Sequence, residues 1–258
     1  MTSFYKTITA VCLVASSGLQ SVAGSSATYK WTAEDVTAEA YLSVNLARNG
    51  KLPVHINEVA TDTQLVDSLK EIVADSEDTR TGQTCNELIK SKELKDLFYS
   101  VVKSQGEPDY RQLLQASLDE GLKVFESSGY PSTGDGWTTI WQDKNFANLA
   151  YLLNSNSTKV GCVIGKCTAV QSPPQGPTGR ETGNQAEMAV LLCDLDPPAT
   201  KNQAPFDEDY FTGLIARKAK LTDMTTDDLK ATNDGTAAAA VPTIMFAGLV
   251  AMLTAVSA

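Results

Sequence analysis

The sequence predicts an α/β fold, a three-layer α-β-α sandwich with a small, mostly antiparallel sheet between helical layers. Three observations predict it. Four stretches with helical spacing come early in the chain. Two short β-prone stretches follow, Thr158–Cys167 and Met188–Pro198, each carrying cysteine. A loop rich in Gly, Pro and Thr, Gln171–Asn184, lies between them, so they read as paired strands with a long connection. Helical patterns followed by strands call for layers that bury one face against another.

Taken in order, Trp31–Asn49 reads as a helix with Thr32 and Asp35 at its start and Gly50 at its end. Val36, Ala40, Val44 and Ala47 form its apolar stripe, and Arg48 reads as a surface charge suited to the helix dipole. A loop with Pro53 and His55 follows. Thr61 and Gln64 make a capping box for a helix carrying Leu65, Val66, Leu69, Ile72 and Val73. Ser91–Lys103 reads as helical through Leu94, Leu97, Phe98, Val101 and Val102. Asp109 caps the next helix, which Gly129 ends. Trp137 and Trp141 lie in the loop Tyr130–Trp141, where they read as a cover for the core rather than as contact anchors. Asn145–Asn154 is a short helix feeding the first cysteine strand. Phe206–Asn233 is acidic and partly helical, with Tyr210, Phe211, Leu214 and Ile215 placed to pack back.

Both ends of the 258-residue chain read as removable. Lys6, an apolar run and small residues up to Gly24 have the layout of a signal peptide, residues 1–24. Val241–Ala258 is apolar or small, with no charge after Asp234. Small residues Asn233, Asp234 and Gly235 precede it, the pattern of a GPI-attachment signal over 236–258. Residues 25–215 then form the ectodomain and 216–235 an acidic stalk. Loss of both ends removes one Lys and no acid, so the net charge moves from −10 to −11. That acidity excludes nucleic acid as a partner and docking on anionic lipid.

Cys12 leaves with the signal peptide. Cys85, Cys162, Cys167 and Cys193 remain, an even set for two disulfides in an oxidising compartment. Cys-x4-Cys is not a zinc-knuckle spacing. Cys162 and Cys167 are an odd number of strand positions apart, on opposite faces, and about 16 Å separates five strand steps. They do not bond to each other, which leaves two pairings open. Asn156-Ser157-Thr158 is a glycosylation sequon with Asn156 as acceptor, in the turn before the strand.

Val160-Gly161-Cys162 entered from a helix, and a strand ending in Cys193-Asp194-Leu195-Asp196-Pro197-Pro198, resemble the two C-terminal signatures of the CAP superfamily (cysteine-rich secretory, antigen 5 and pathogenesis-related proteins). Asn145–Tyr151 stands where that superfamily has a His-Phe-Thr-Gln-x-x-Trp helix, and Asn45-Leu46-Ala47-Arg48 resembles its Asn-x-x-Arg. With both chain ends added, the chain resembles the GPI-linked surface antigens of Eimeria, over roughly Trp31–Pro198. The resemblance implies a CAP-like domain and selects Cys162–Cys193, which leaves Cys85–Cys167. It implies a surface antigen that contacts host-cell surface or host immune proteins and meets the membrane through its GPI lipid.

Catalysis is not expected. The two histidines of a CAP cation site fall here on Val44 and Asn145, and His55 is the chain's single histidine. No metal and no cofactor are expected, and no base is placed for a Ser or Cys nucleophile. A secreted hydrolase working through acidic residues is the competing reading, and a lipid or sterol carrier is another.

Overall fold

The computed structural model describes residues 28–74, 85, 96–102, 106–170 and 186–230. The two cysteine strands are its centre. β4 (Lys159–Val170) and β5 (Ala186–Asp196) pair antiparallel. β1 (Thr28–Asp35) adds to the far side of β4 and β3 (Phe98–Val102) to the far side of β5, both antiparallel, giving the order β1-β4-β5-β3. A two-residue strand, β2 (Ala60–Thr61), runs parallel to the start of β4. The fold is mixed α/β with a small, mostly antiparallel sheet, as expected.

Alternation along the strands sorts the core into two. Cys162, Ile164, Leu191, Cys193, Phe98 and Val102 face one side. There they meet α1 (Ala38–Asn49), α3 (Tyr110–Gly121), α6 (Lys144–Leu153) and α7 (Glu208–Ala216). Val163, Cys167, Val190, Leu192 and Trp31 face the other side, against Val66, Leu69 and Val73 of α2 (Thr63–Ala74). Two short helices, α4 (Phe125–Ser128) and α5 (Gly134–Ile140), complete the first side. Trp137 and Trp141 are buried there and cover the core. Caps fix the helix starts: Asp109 accepts from the Gln112 N–H, and Asp143 from those of Asn145 and Phe146. Asp62, rather than the expected Thr61, caps α2 by accepting from Gln64 and Leu65.

Two expected helices are corrected. The start of the Trp31–Asn49 stretch, through Asp35, is strand β1, and the helix begins only at Ala38. Tyr29, Trp31 and Ala33 alternate, and that period of two lays them against the α2 side of the sheet. In the Ser91–Lys103 stretch, Phe98–Val102 is strand β3, and residues 91–95 and 103 lie outside the described residues. Phe98 and Val102 are buried, and pairing with β5 outweighs the helical spacing.

The disulfides join Cys162 to Cys193 and Cys85 to Cys167. Cys162 and Cys193 stand directly opposite in the β4–β5 register, with Cα atoms 4.2 Å apart. That spacing fits a non-hydrogen-bonded pair. Cys167 faces the α2 side, where it meets Cys85.

The expected stalk is also corrected. Residues 216–230 pack on the domain. Leu221 and Met224 are fully buried, because these two apolar side chains find the surface of α1 and α3. The Leu221 N–H donates to Gln115 Oε1 (2.9 Å) and the Lys51 N–H to the Asp228 carbonyl (2.9 Å). Residues 231–235 lie outside the described residues.

Arg48 departs most from its reading as a surface charge, since none of it is exposed. Its guanidinium donates to the carbonyls of Leu152 (2.6 Å), Asn154 (3.0 Å), Ser157 (3.3 Å) and Asn57 (2.8 Å). Leu152 and Asn154 end α6, where helical carbonyls lack intrahelical partners. Burial pushes Arg48 down to about 10, so it stays charged at neutral pH. Tyr210 Oη donates to the Arg48 carbonyl (2.6 Å), and Arg217 donates to the carbonyls of Leu46, Ala47 and Gly50 (3.2 Å each). Two arginines thus close the ends of two helices, with no carboxylate partner for either among the described residues.

Gly161 decides how closely α2 approaches the sheet. A Cβ there would lie 2.5 Å from Leu65 Cβ and 2.6 Å from the Val66 nitrogen. Backbone on the far side leaves no easy escape. Gly161→Ala is expected to cost about 2 kcal/mol through overpacking, a fall in Tm of about 4–8 °C. Thermal unfolding followed by circular dichroism checks this. An unchanged Tm would mean that α2 slides away freely.

Candidate functional site

Among the described residues β3 is an edge strand, hydrogen-bonded to β5 on one side only. On its other side stands Asn148 of α6. Its Oδ1 accepts from the Tyr99 N–H (2.8 Å), and its Nδ2 donates to the Tyr99 carbonyl (2.8 Å). One side-chain amide therefore supplies both bonds that a neighbouring strand would make at Tyr99. Asn45 treats Val59 the same way, at 2.9 and 3.0 Å.

In an antiparallel ladder the N–H and C=O of alternate residues point to the same side. Tyr99 points outward, so Val101 does too. Among the described residues the Val101 backbone pair has no partner on that side, and Val101 is 39 % exposed.

A groove of about 910 Å³ runs beside this edge. Tyr99, Ser100, Val101 and Val102 all line it, with Leu113 and Ala116 of α3 opposite. Its acids are Glu107, Asp109 and Glu120, and no Lys or Arg lines it among the described residues. Asp109 is held by its capping bond, and Glu120 forms an exposed ion pair with Lys123 (2.7 Å), a contact of little energy. A second groove, of about 780 Å³, lies beyond Glu107, which lines both. It carries Glu34, Asp35 and Glu187 against Lys166. Lys166 is itself bridged to Glu34 at 2.6 Å. Both hollows are therefore acidic, in keeping with the chain's charge. At the inner end of β3, Tyr151 Oη donates to Asp96 (3.0 Å). Burial and that carboxylate push the phenol well above its usual range.

The residues singled out from sequence fall in different places. The four cysteines are spent in disulfides within the sheet's two faces. Asn156 is exposed in the turn between α6 and β4. Ser157, the middle residue of the sequon, is buried and donates to the Pro197 carbonyl (2.7 Å). Asn233, Asp234 and Gly235 lie outside the described residues. His55 is half-buried, and its Nε2 has no partner among the described residues. Val44 is in the core, while Asn145 lines the larger groove. No group of three or more His, Cys, Asp or Glu side chains placed to hold a metal occurs among the described residues. Asn45 and Arg48, the two named residues of the Asn-x-x-Arg pattern, both hold the loop that follows α1.

Sequence reasoning missed Asn148. The signal was an Asn inside an apolar helix, a residue type that favours caps and turns over helix interiors. Asn45 carries the same signal.

A family model for the sporozoite surface antigen (SAG) protein domain matches residues 38–241. The chain belongs to the sporozoite surface antigen family. The match runs through 216–230, the segment that packs on the domain rather than standing off as a stalk. Among solved structures, the surface antigen protein SAG19 of Eimeria tenella is similar. Identity is 19 %, over 72 % of this chain and 97 % of that one, with a TM-score of 0.44. No curated protein matches. Membership of the surface antigen family places the protein at the cell surface.

Proposed function

We propose that this surface antigen is GPI-anchored, non-catalytic, and serves to contact host-cell surface or host immune proteins. The observation that carries this reading is the family match joined to the two chain ends. The tail after Asp234 is uncharged, and Asn233, Asp234 and Gly235 offer the small residues an attachment site needs. Its non-catalytic character is supported by the single histidine and by the use of all four mature cysteines as disulfides. Helices on both faces of the sheet support a CAP-like three-layer arrangement. Asn156 is the proposed glycosylation site, supported by its exposure.

Phosphatidylinositol-specific phospholipase C applied to intact cells tests the anchor. Release of the protein into the medium is the expected result. Retention on the cells, with a C-terminal peptide intact through Ala258, would overturn it.

A further inference from the structure

We propose that the groove beside β3 takes an extended, basic peptide segment of a partner protein, added to the sheet as one more strand. It deepens the contact role proposed above and rests on that role only for where the peptide comes from.

The lining settles which surface is on offer. Four consecutive residues, Tyr99 to Val102, border the groove. A strand face presents every second residue, so a run of four marks the backbone edge. At that edge the Tyr99 rung is filled by the Asn148 amide, and the Val101 rung stands open among the described residues. The clasp alone is edge protection, of the kind that keeps sheets from pairing at random. It stops one rung short, and the next rung opens on a hollow of about 910 Å³, within the range of pockets that hold ligands, roughly 300–1,000 Å³. Main-chain bonds to such an edge supply affinity, and alternate side chains of the added strand read the walls. Here those walls are apolar at Leu113 and Ala116 and acidic at Glu107 and Glu120. A peptide alternating apolar and cationic side chains matches both.

The same charges decide against a second copy of this chain. Two β3 edges meeting about a two-fold axis would bring two acidic grooves together, and like charges facing across a sheet repel.

The test uses the full-chain protein and a fluorescein-labelled heptapeptide of alternating Lys and Val, followed by fluorescence anisotropy. Saturable binding is expected. Methylating alternate backbone nitrogens of the peptide, which removes its ladder donors and keeps its charge, should weaken binding about tenfold or more. The matching Glu–Val peptide should not bind. Val101→Pro removes the outward N–H at a place where edge strands accept proline, and should weaken binding to a similar degree. Glu107→Lys with Glu120→Lys should weaken the Lys–Val peptide and admit the Glu–Val one. The methylated peptide keeps the test decisive should either variant fold poorly. The proposal is overturned by equal binding of the methylated peptide, which would leave charge alone at work. It is equally overturned by no binding, or by self-association of the protein that Val101→Pro abolishes. Phospholipase release bears on the anchor and this titration on the groove, so the two fail separately.

Discussion

Replacing Arg48 with Met is expected to destabilise the domain by about 4 kcal/mol. The guanidinium donates to carbonyls of Leu152, Asn154 and Ser157 in fully buried contacts. Met fills a similar volume but leaves the Leu152 and Ser157 carbonyls dry and unpaired, while the Asn154 carbonyl keeps the Ser157 N–H (3.2 Å). Each buried acceptor left without a donor costs about 1–3 kcal/mol. Relief from burying a charge offsets part of the sum. The loss is a large share of the roughly 5–15 kcal/mol that holds a domain folded. Urea unfolding followed by circular dichroism should show the midpoint falling by about 2 M, for a slope of about 2 kcal/mol per molar. Arg48→Lys keeps the charge but not the planar fork, so one ammonium cannot reach carbonyls from α6, the turn after it and the loop after α1. It should recover less than half of the loss. A midpoint within about 0.5 M of the native value for Arg48→Met would show that these carbonyls find other donors.

Cys85→Ser should cost a similar amount by another route. The bond to Cys167 closes a loop of 82 positions, and the Cys162–Cys193 bond one of 31. In the chain-entropy account these constrain the unfolded chain by about 4.5 and 3.7 kcal/mol. The longer bond also joins Cys85 to the α2 side of the sheet, where Cys167 is fully buried. Cys85→Ser therefore leaves a free thiol at Cys167 that labels slowly while the protein is folded and quickly in urea. Peptide mapping without reduction should still recover Cys162 joined to Cys193. A Cys162–Cys167 or Cys167–Cys193 peptide from the variant would show that the sheet rearranges. Unchanged urea stability would show that the long loop is already restrained in the unfolded chain.

Much of this fold is legible in the sequence, for local reasons. Two β-prone runs split by a Gly- and Pro-rich loop specify a pair of strands, and strand alternation alone sets Cys162 and Cys167 on opposite faces. Asp109 and the stripe after it specify a helix, because cap and periodicity act within a few residues. Spacing fails where a distant partner decides. Phe98–Val102 satisfies a helical stripe and also a strand, and β5 beside it selects the strand. The alternation of Tyr29, Trp31 and Ala33 was present but overridden by the stripe that follows, until pairing with β4 fixes it.

Charge is the least legible of all. An Arg in the last turn of a helix reads as solvated, and only the meeting of α1, α6 and the loop after α1 turns Arg48 inward. The charges of 216–230, four basic and three acidic, likewise hide Leu221 and Met224, which the α1 and α3 surface draws in. The sequence by itself determined the strand pair, the capped helices and the even set of cysteines, since each depends on neighbours a few positions away. Only the tertiary structure decided which helical stripe becomes strand β3, which arginine is buried, and which backbone edge is left open beside Asn148. Each of those is a contact between residues far apart in the chain, and its free energy exists only once the layers have met.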